Sequence, residues 1–129
     1  MTKLDPIIAV KNVEASSNWY QSVFGCNSNH EGNHFDILTD KEGEVMLCLH
    51  QWGEHDHPSM QDSSIIPGNG LILYFRSENL VEVRQNVEKM NYAVETEIQM
   101  NPNSHKKEFS LRDLDGYCLI ISEYHNYQG

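Results

Sequence analysis

The run Lys107-Glu108-Phe109-Ser110-Leu111-Arg112-Asp113-Leu114-Asp115-Gly116-Tyr117-Cys118-Leu119-Ile120-Ile121 decides the fold. Two strand-forming segments flank Asp113-Leu114-Asp115-Gly116, so the stretch reads as a tight β-hairpin. Gly116 supplies the positive φ such a turn requires, and the aspartates can bond the local backbone.

The segments before this hairpin repeat the order of the first half of the chain. Ile7-Ile8-Ala9-Val10 is a short apolar strand. Asn12 can cap a helix over about 13–24, which Gly25 stops. Trp19, Tyr20, Val23 and Phe24 fall on one face of it. Strand-like runs follow at about 27–31, 34–38 and 44–50, separated by the turn signals Gly32-Asn33 and Glu42-Gly43. The second half opens with a strand at 71–76. Asn79 with Glu82 forms a capping box before a helix at about 80–90, whose apolar face is Leu80, Val83, Val87 and Met90. Strands are expected at about 93–99, 107–112 and 117–123. Each half is therefore βαβββ, an α+β arrangement, with modules at about 4–51 and 70–125 and a linker at about 52–69. Residue identity between the halves is poor; the order of elements carries the repeat.

The chain has 129 residues, enough for one domain or two small fused modules with a real core. Its formal net charge is −10, which disfavours nucleic acid and anionic membrane as partners and suits a cationic ligand or plain solubility. Cys26, Cys48 and Cys118 are odd in number and contain no CxxC, so neither a disulfide framework nor a zinc ribbon is expected and a reducing cytoplasm fits. The first residues lack an apolar signal-peptide core, and no apolar run approaches the ~20 residues of a membrane span.

Three stretches carry a family resemblance. Val10-Lys11-Asn12-Val13-Glu14-Ala15-Ser16-Ser17-Asn18-Trp19-Tyr20, closing at Phe24-Gly25, is similar to the Val-x-Asp-Leu-x-x-Ser-x-x-Phe-Tyr…Leu-Gly opening of the glyoxalase/bleomycin resistance/dioxygenase superfamily, the vicinal oxygen chelate proteins. Val45-Met46-Leu47-Cys48-Leu49-His50-Gln51-Trp52-Gly53 resembles the strand that ends its first module. The Asp113-Leu114-Asp115-Gly116 hairpin resembles its closing turn, with Leu114 where proline is usual. The resemblance implies a curved mixed sheet from two paired modules, helices outside, a cleft inside, and a homodimer.

It also implies four metal ligands, usually histidine, glutamate or glutamine, at positions that fall on Asp5, Leu47, Leu71 and Ile120. Three are aliphatic, and a hydrocarbon side chain has no lone pair to give a metal. No metal cofactor is expected. If Leu47, Leu71 and Ile120 face the cleft, strand alternation brings Ile7, Ala9, Val45, Leu49, Leu73, Phe75 and Cys118 with them as an apolar wall, and turns Tyr74 and Arg76 to the helices or rim. A filled core without ligand space stands beside that reading. The expected ligand pocket is Leu47, Leu49, His50, Trp52, Leu71, Leu73, Phe75, Glu108 and Ile120, with Tyr74, Arg76 and Glu123 near its mouth. Glu108 and His50 are the candidate general bases. In the linker, His55-Asp56-His57 reads as a solvated acidic loop short of placed metal ligands. The resemblance points first to a cytoplasmic dimer that binds a small organic molecule without metal. The alternatives are a metal-dependent lyase, isomerase or dioxygenase, and a non-catalytic dimeric regulatory module.

Overall fold

The computed structural model describes residues 1–30, 32–54 and 57–126. The chain divides into two compact units, Met1–Pro67 and Gly68–Gly129. The first holds β1 (Ile7–Val10), α1 (Val13–Phe24), β2 (Asn27–Ser28), β3 (Phe35–Thr39) and β4 (Val45–Gln51), with a 3₁₀ turn at Pro58–Met60 in the linker. The second holds β5 (Ile72–Ser77), α2 (Leu80–Lys89), β6 (Thr96–Met100), β7 (Lys107–Arg112) and β8 (Cys118–Glu123). Their four-stranded sheets have matching orders, β1-β4-β3-β2 and β5-β8-β7-β6. In each, the first strand lies parallel to the last, as the βαβ crossover requires, and the other pairs are antiparallel. The architecture is α+β, built from two βαβββ modules.

The helices begin differently. Asn12 Oδ1 accepts the Ala15 amide at 2.9 Å, and Gly25, at φ 69°, returns its N–H to the Gln21 carbonyl. The capping box expected at Asn79 does not form: that side chain makes no cap bond, and the Asn79 amide donates to Ser77 Oγ at 3.1 Å. Asn79 sits at ψ 52°, away from the extended backbone that aims a cap at the first amides.

The last hairpin of each module closes on the same device. Asp113 Oδ1 accepts the amides of Asp115 and Tyr117, its N–H reaches the Tyr117 carbonyl, and Gly116 (φ 91°) donates back to the Asp113 carbonyl. Asp40 Oδ1 accepts Glu42 and Glu44, its N–H reaches the Glu44 carbonyl, and Gly43 (φ 83°) donates to the Asp40 carbonyl. The modules thus share an Asp-x-acidic-Gly turn with the same four bonds. This is a residue-level repeat that the sequence comparison of the halves overlooks.

Each helix covers one face of its own sheet. A polar groove lined by Ser17, Asn18 and Gln21 of α1 also contains Asp36, so α1 lies over the face bearing Asp36, whose register partner is Leu49. On that face Ile8, Val10, Leu38, Leu47 and Leu49 are buried. In the second module the Arg84 guanidinium of α2 lies 6.0 Å from the Phe109 ring centroid. The face beneath α2 carries Leu73, Phe75, Phe109, Leu111, Leu119 and Ile121.

Candidate functional site

The helix-free face of the second sheet combines apolar and polar groups in rows set by the strand register. Ile72, Cys118 and Arg112 form one row, Tyr74, Ile120, Ser110 and Thr96 the next, and Arg76, Ser122 and Glu108 the third. Glu108 ends on a fixed carboxylate. Its Oε1 accepts Asn101 Nδ2 at 2.8 Å, while Oε2 is buried with no hydrogen-bond partner among the described residues. The facing Ser122 is 0% exposed, and its hydroxyl is likewise without a partner there. Asn101 is held in turn by its loop: its Oδ1 accepts the amides of Asn103 and Ser104, and its carbonyl accepts that of His105, which sits at φ 60°. Beside this loop a groove of about 740 Å³ is lined by Tyr74, residues 103–106, His125 and Asn126. The Tyr74 hydroxyl lies 3.3 Å from His125 Nε2.

The helix-free face of the first sheet carries Ala9, Phe35, Ile37, Cys48 and His50. His50 is buried, and its Nδ1 donates to the Gln51 carbonyl at 2.7 Å, so in the neutral ring Nε2 is the basic nitrogen. Its ring centroid is 6.0 Å from Phe35 and 5.0 Å from His57, and His30 packs edge-on to Phe35. Burial, reinforced by the carboxylates of Asp5 and Asp36, pushes the Cys48 thiol up, which makes it a poor nucleophile at neutral pH. His55 and Asp56 of the His-Asp-His run lie outside the described residues.

The expected apolar wall is redistributed by register. Leu47 and Leu49 lie beneath α1, and Leu73 and Phe75 beneath α2. Leu71 is exposed just ahead of β5, and Trp52 is half-buried in the turn after β4. Of the expected pocket, Ile120 and Glu108 stay on the helix-free face of the second module and His50 on that of the first. Two physical reasons account for the change. In β3–β4, Leu38 pairs with Leu47 but Thr39 with Val45, so Met46 is the extra residue of a β-bulge and inverts the alternation. In β5–β8, Tyr74 pairs with Ile120, so Tyr74 and Arg76 share its face and Leu73 and Phe75 do not. Alternation from Ile120 reaches Ser122, which sequence reasoning passed over; Asn101 left no local signal.

A family model described as the Glyoxalase/Bleomycin resistance protein/Dioxygenase superfamily matches residues 3–121. The chain belongs to this superfamily. Among solved structures it is similar to a protein of unknown function from Agrobacterium tumefaciens, with TM-score 0.78 and 16% identity over 97% of this chain and 95% of that one. A bleomycin resistance determinant encoded on transposon Tn5 gives TM-score 0.70 and 13% identity over 98% and 100% of the two chains. Lactoylglutathione lyase from Agrobacterium tumefaciens gives 0.70 and 16% over 95% and 92%. No curated protein matches the chain. No helix among the described residues is long and apolar enough to cross a membrane.

The four positions at which the resemblance implies metal ligands hold one carboxylate and three hydrocarbons. Asp5 is an exposed carboxylate, Leu47 is sealed under α1, and Leu71 and Ile120 are hydrocarbons. Among the described residues, no three or more His, Cys, Asp or Glu side chains are grouped to hold an ion.

Proposed function

We propose that this protein binds a small organic molecule on the helix-free face of its second module, without the superfamily's metal site, as a cytoplasmic homodimer. The observation that carries this reading is Ile120. It stands on that face, four residues beyond the turn glycine, where the resemblance calls for a metal-binding glutamate. An isobutyl-sized hydrocarbon there contributes contact area to an organic ligand and nothing to a cation. Ile72, Cys118 and Tyr74 extend the apolar surface, and Ser122 and Glu108 add polar groups that can orient a ligand.

Two measurements test it. Protein incubated with nickel, zinc, iron and manganese and then desalted should retain less than about a tenth of an equivalent of metal. In a thermal-shift screen of small organic molecules some members should raise the melting temperature, and Ile120→Arg should abolish those shifts. Near-stoichiometric metal would overturn the first half of the reading. Silence across a broad library would overturn the second. Sedimentation equilibrium decides the dimer.

A second reading, metal-free catalysis, is favoured by the fixed tautomer of His50, whose basic Nε2 suits a general base. It predicts turnover that His50→Ala removes.

A further inference from the structure

We propose that Glu108 and Ser122 form the seat of a protonated primary amine on the bound molecule. This rests on the reading that the second module's helix-free face takes an organic ligand. The two residues face one another across β7 and β8. Glu108 Oε2 and Ser122 Oγ are both buried, and neither bonds to the other or to any described residue. A buried carboxylate oxygen without a donor is costly, so the site is built for something that brings one. The carboxylate cannot simply turn to water, because Asn101 Nδ2 holds Oε1 at 2.8 Å and the 101–106 loop holds Asn101.

Of the neighbouring cations, Arg76 is engaged and Lys107 points elsewhere. Arg76 shares the row, but its Nη1 donates to the His125 carbonyl at 2.6 Å and its guanidinium lies 5.1 Å from the Tyr124 ring centroid. Lys106 lines the adjoining groove, and Lys107 falls on the opposite parity of β7.

The chemistry narrows the class. A carboxylate oxygen at Glu108 Oε2 can only accept, and Ser122 Oγ can accept as well as donate. One ammonium with three N–H donors satisfies both at once. A ligand carboxylate or phosphate would meet Glu108 with repulsion, and a neutral carbonyl could serve only Ser122. The apolar rows of Ile120, Cys118 and Ile72 alongside suit an aryl or alkyl body. The net charge of −10 adds a field that gathers cations.

The test is ligand-observed NMR titration at pH 7 with benzylamine and 2-phenylethylamine, against benzyl alcohol and phenylacetate of similar shape, on the unaltered chain, Glu108→Gln and Ser122→Ala. The amines should bind on the order of tenfold more tightly than the alcohol, and phenylacetate should bind weakest. Glu108→Gln should remove about tenfold or more of the amine affinity and leave the alcohol unchanged. Ser122→Ala should lose less, and it carries the same comparison should the Gln variant fail to fold. Equal binding of amine and alcohol, or amine binding indifferent to both substitutions, would overturn the seat while organic-ligand binding stands. Silence from every probe together with the screening library would sink both readings.

Discussion

Asp113 and Asp40 make the same four-bond turn in different surroundings. Asp113 is 4% exposed and Asp40 half-buried, so the amides that Asp113 satisfies have less access to replacement water. Asp113→Ala should therefore cost about 2–3 kcal/mol in urea denaturation and Asp40→Ala about 1 kcal/mol, following the penalty for leaving buried amides unpaired. Equal losses would show that burial does not set the value of this turn. Cys26 offers a pH test. Burial raises its thiol from an ordinary value of 9.0 to about 11, with the Asp36 carboxylate adding to the rise. The folded state thus holds the proton more tightly than the unfolded chain. That contribution is complete below pH 9.0 and is lost as the pH climbs through about 11. Urea melts from pH 8 to 11 should fall more steeply for the unaltered chain than for Cys26→Ala. At pH 8 a thiol reagent should label the half-exposed Cys118 well before the buried Cys26.

The helices show where local chemistry suffices and where it fails. The bounds Val13–Phe24 were fully legible because Asn12, the apolar stripe and Gly25 agree with one another. Lys107–Arg112 was legible because the turn after it pins its end. The same reasoning over-reached at Asn79, where the right residue type stands in the wrong backbone conformation. Asn12→Ala should destabilise by about 1 kcal/mol, whereas Asn79→Ala, which removes no cap bond, should cost only about a few tenths. Denaturant midpoints with unchanged slopes would check both. Of the candidate site, Glu108 could be named from its strand, and Ile120 only from the spacing that the resemblance supplies. Ser122 was open to the same alternation and was missed. Asn101 was not open to it, since a loop side chain that reaches a strand carboxylate leaves no period in the sequence. Leu47, Leu49, Leu73 and Phe75 were misplaced because strand parity is fixed by pairing partners, which a single strand does not reveal.

With nineteen acidic against nine basic side chains, the chain carries a net repulsion that its ion pairs offset only locally. Raising salt from about 10 mM to about 150 mM shortens the screening length from about 30 to about 8 Å. The melting temperature should then rise by roughly 2–5 °C. A fall would mean that pairs such as Lys3–Glu44 and Arg112–Glu95 outweigh the overall imbalance. The repeated topology also makes the modules informative about each other. Counting four residues from the turn glycine reaches Leu47 in one and Ile120 in the other, yet these lie on opposite sides of their sheets. Met46 makes the difference. For a duplicated gene, a single codon gained or lost inside β4 exchanges the helix-side and helix-free-side residues of the rest of the strand in one event. Two descendants of one ancestral module can in this way acquire unlike surfaces without accumulating substitutions one site at a time, and a search for shared chemistry by fixed spacing passes between them unseen.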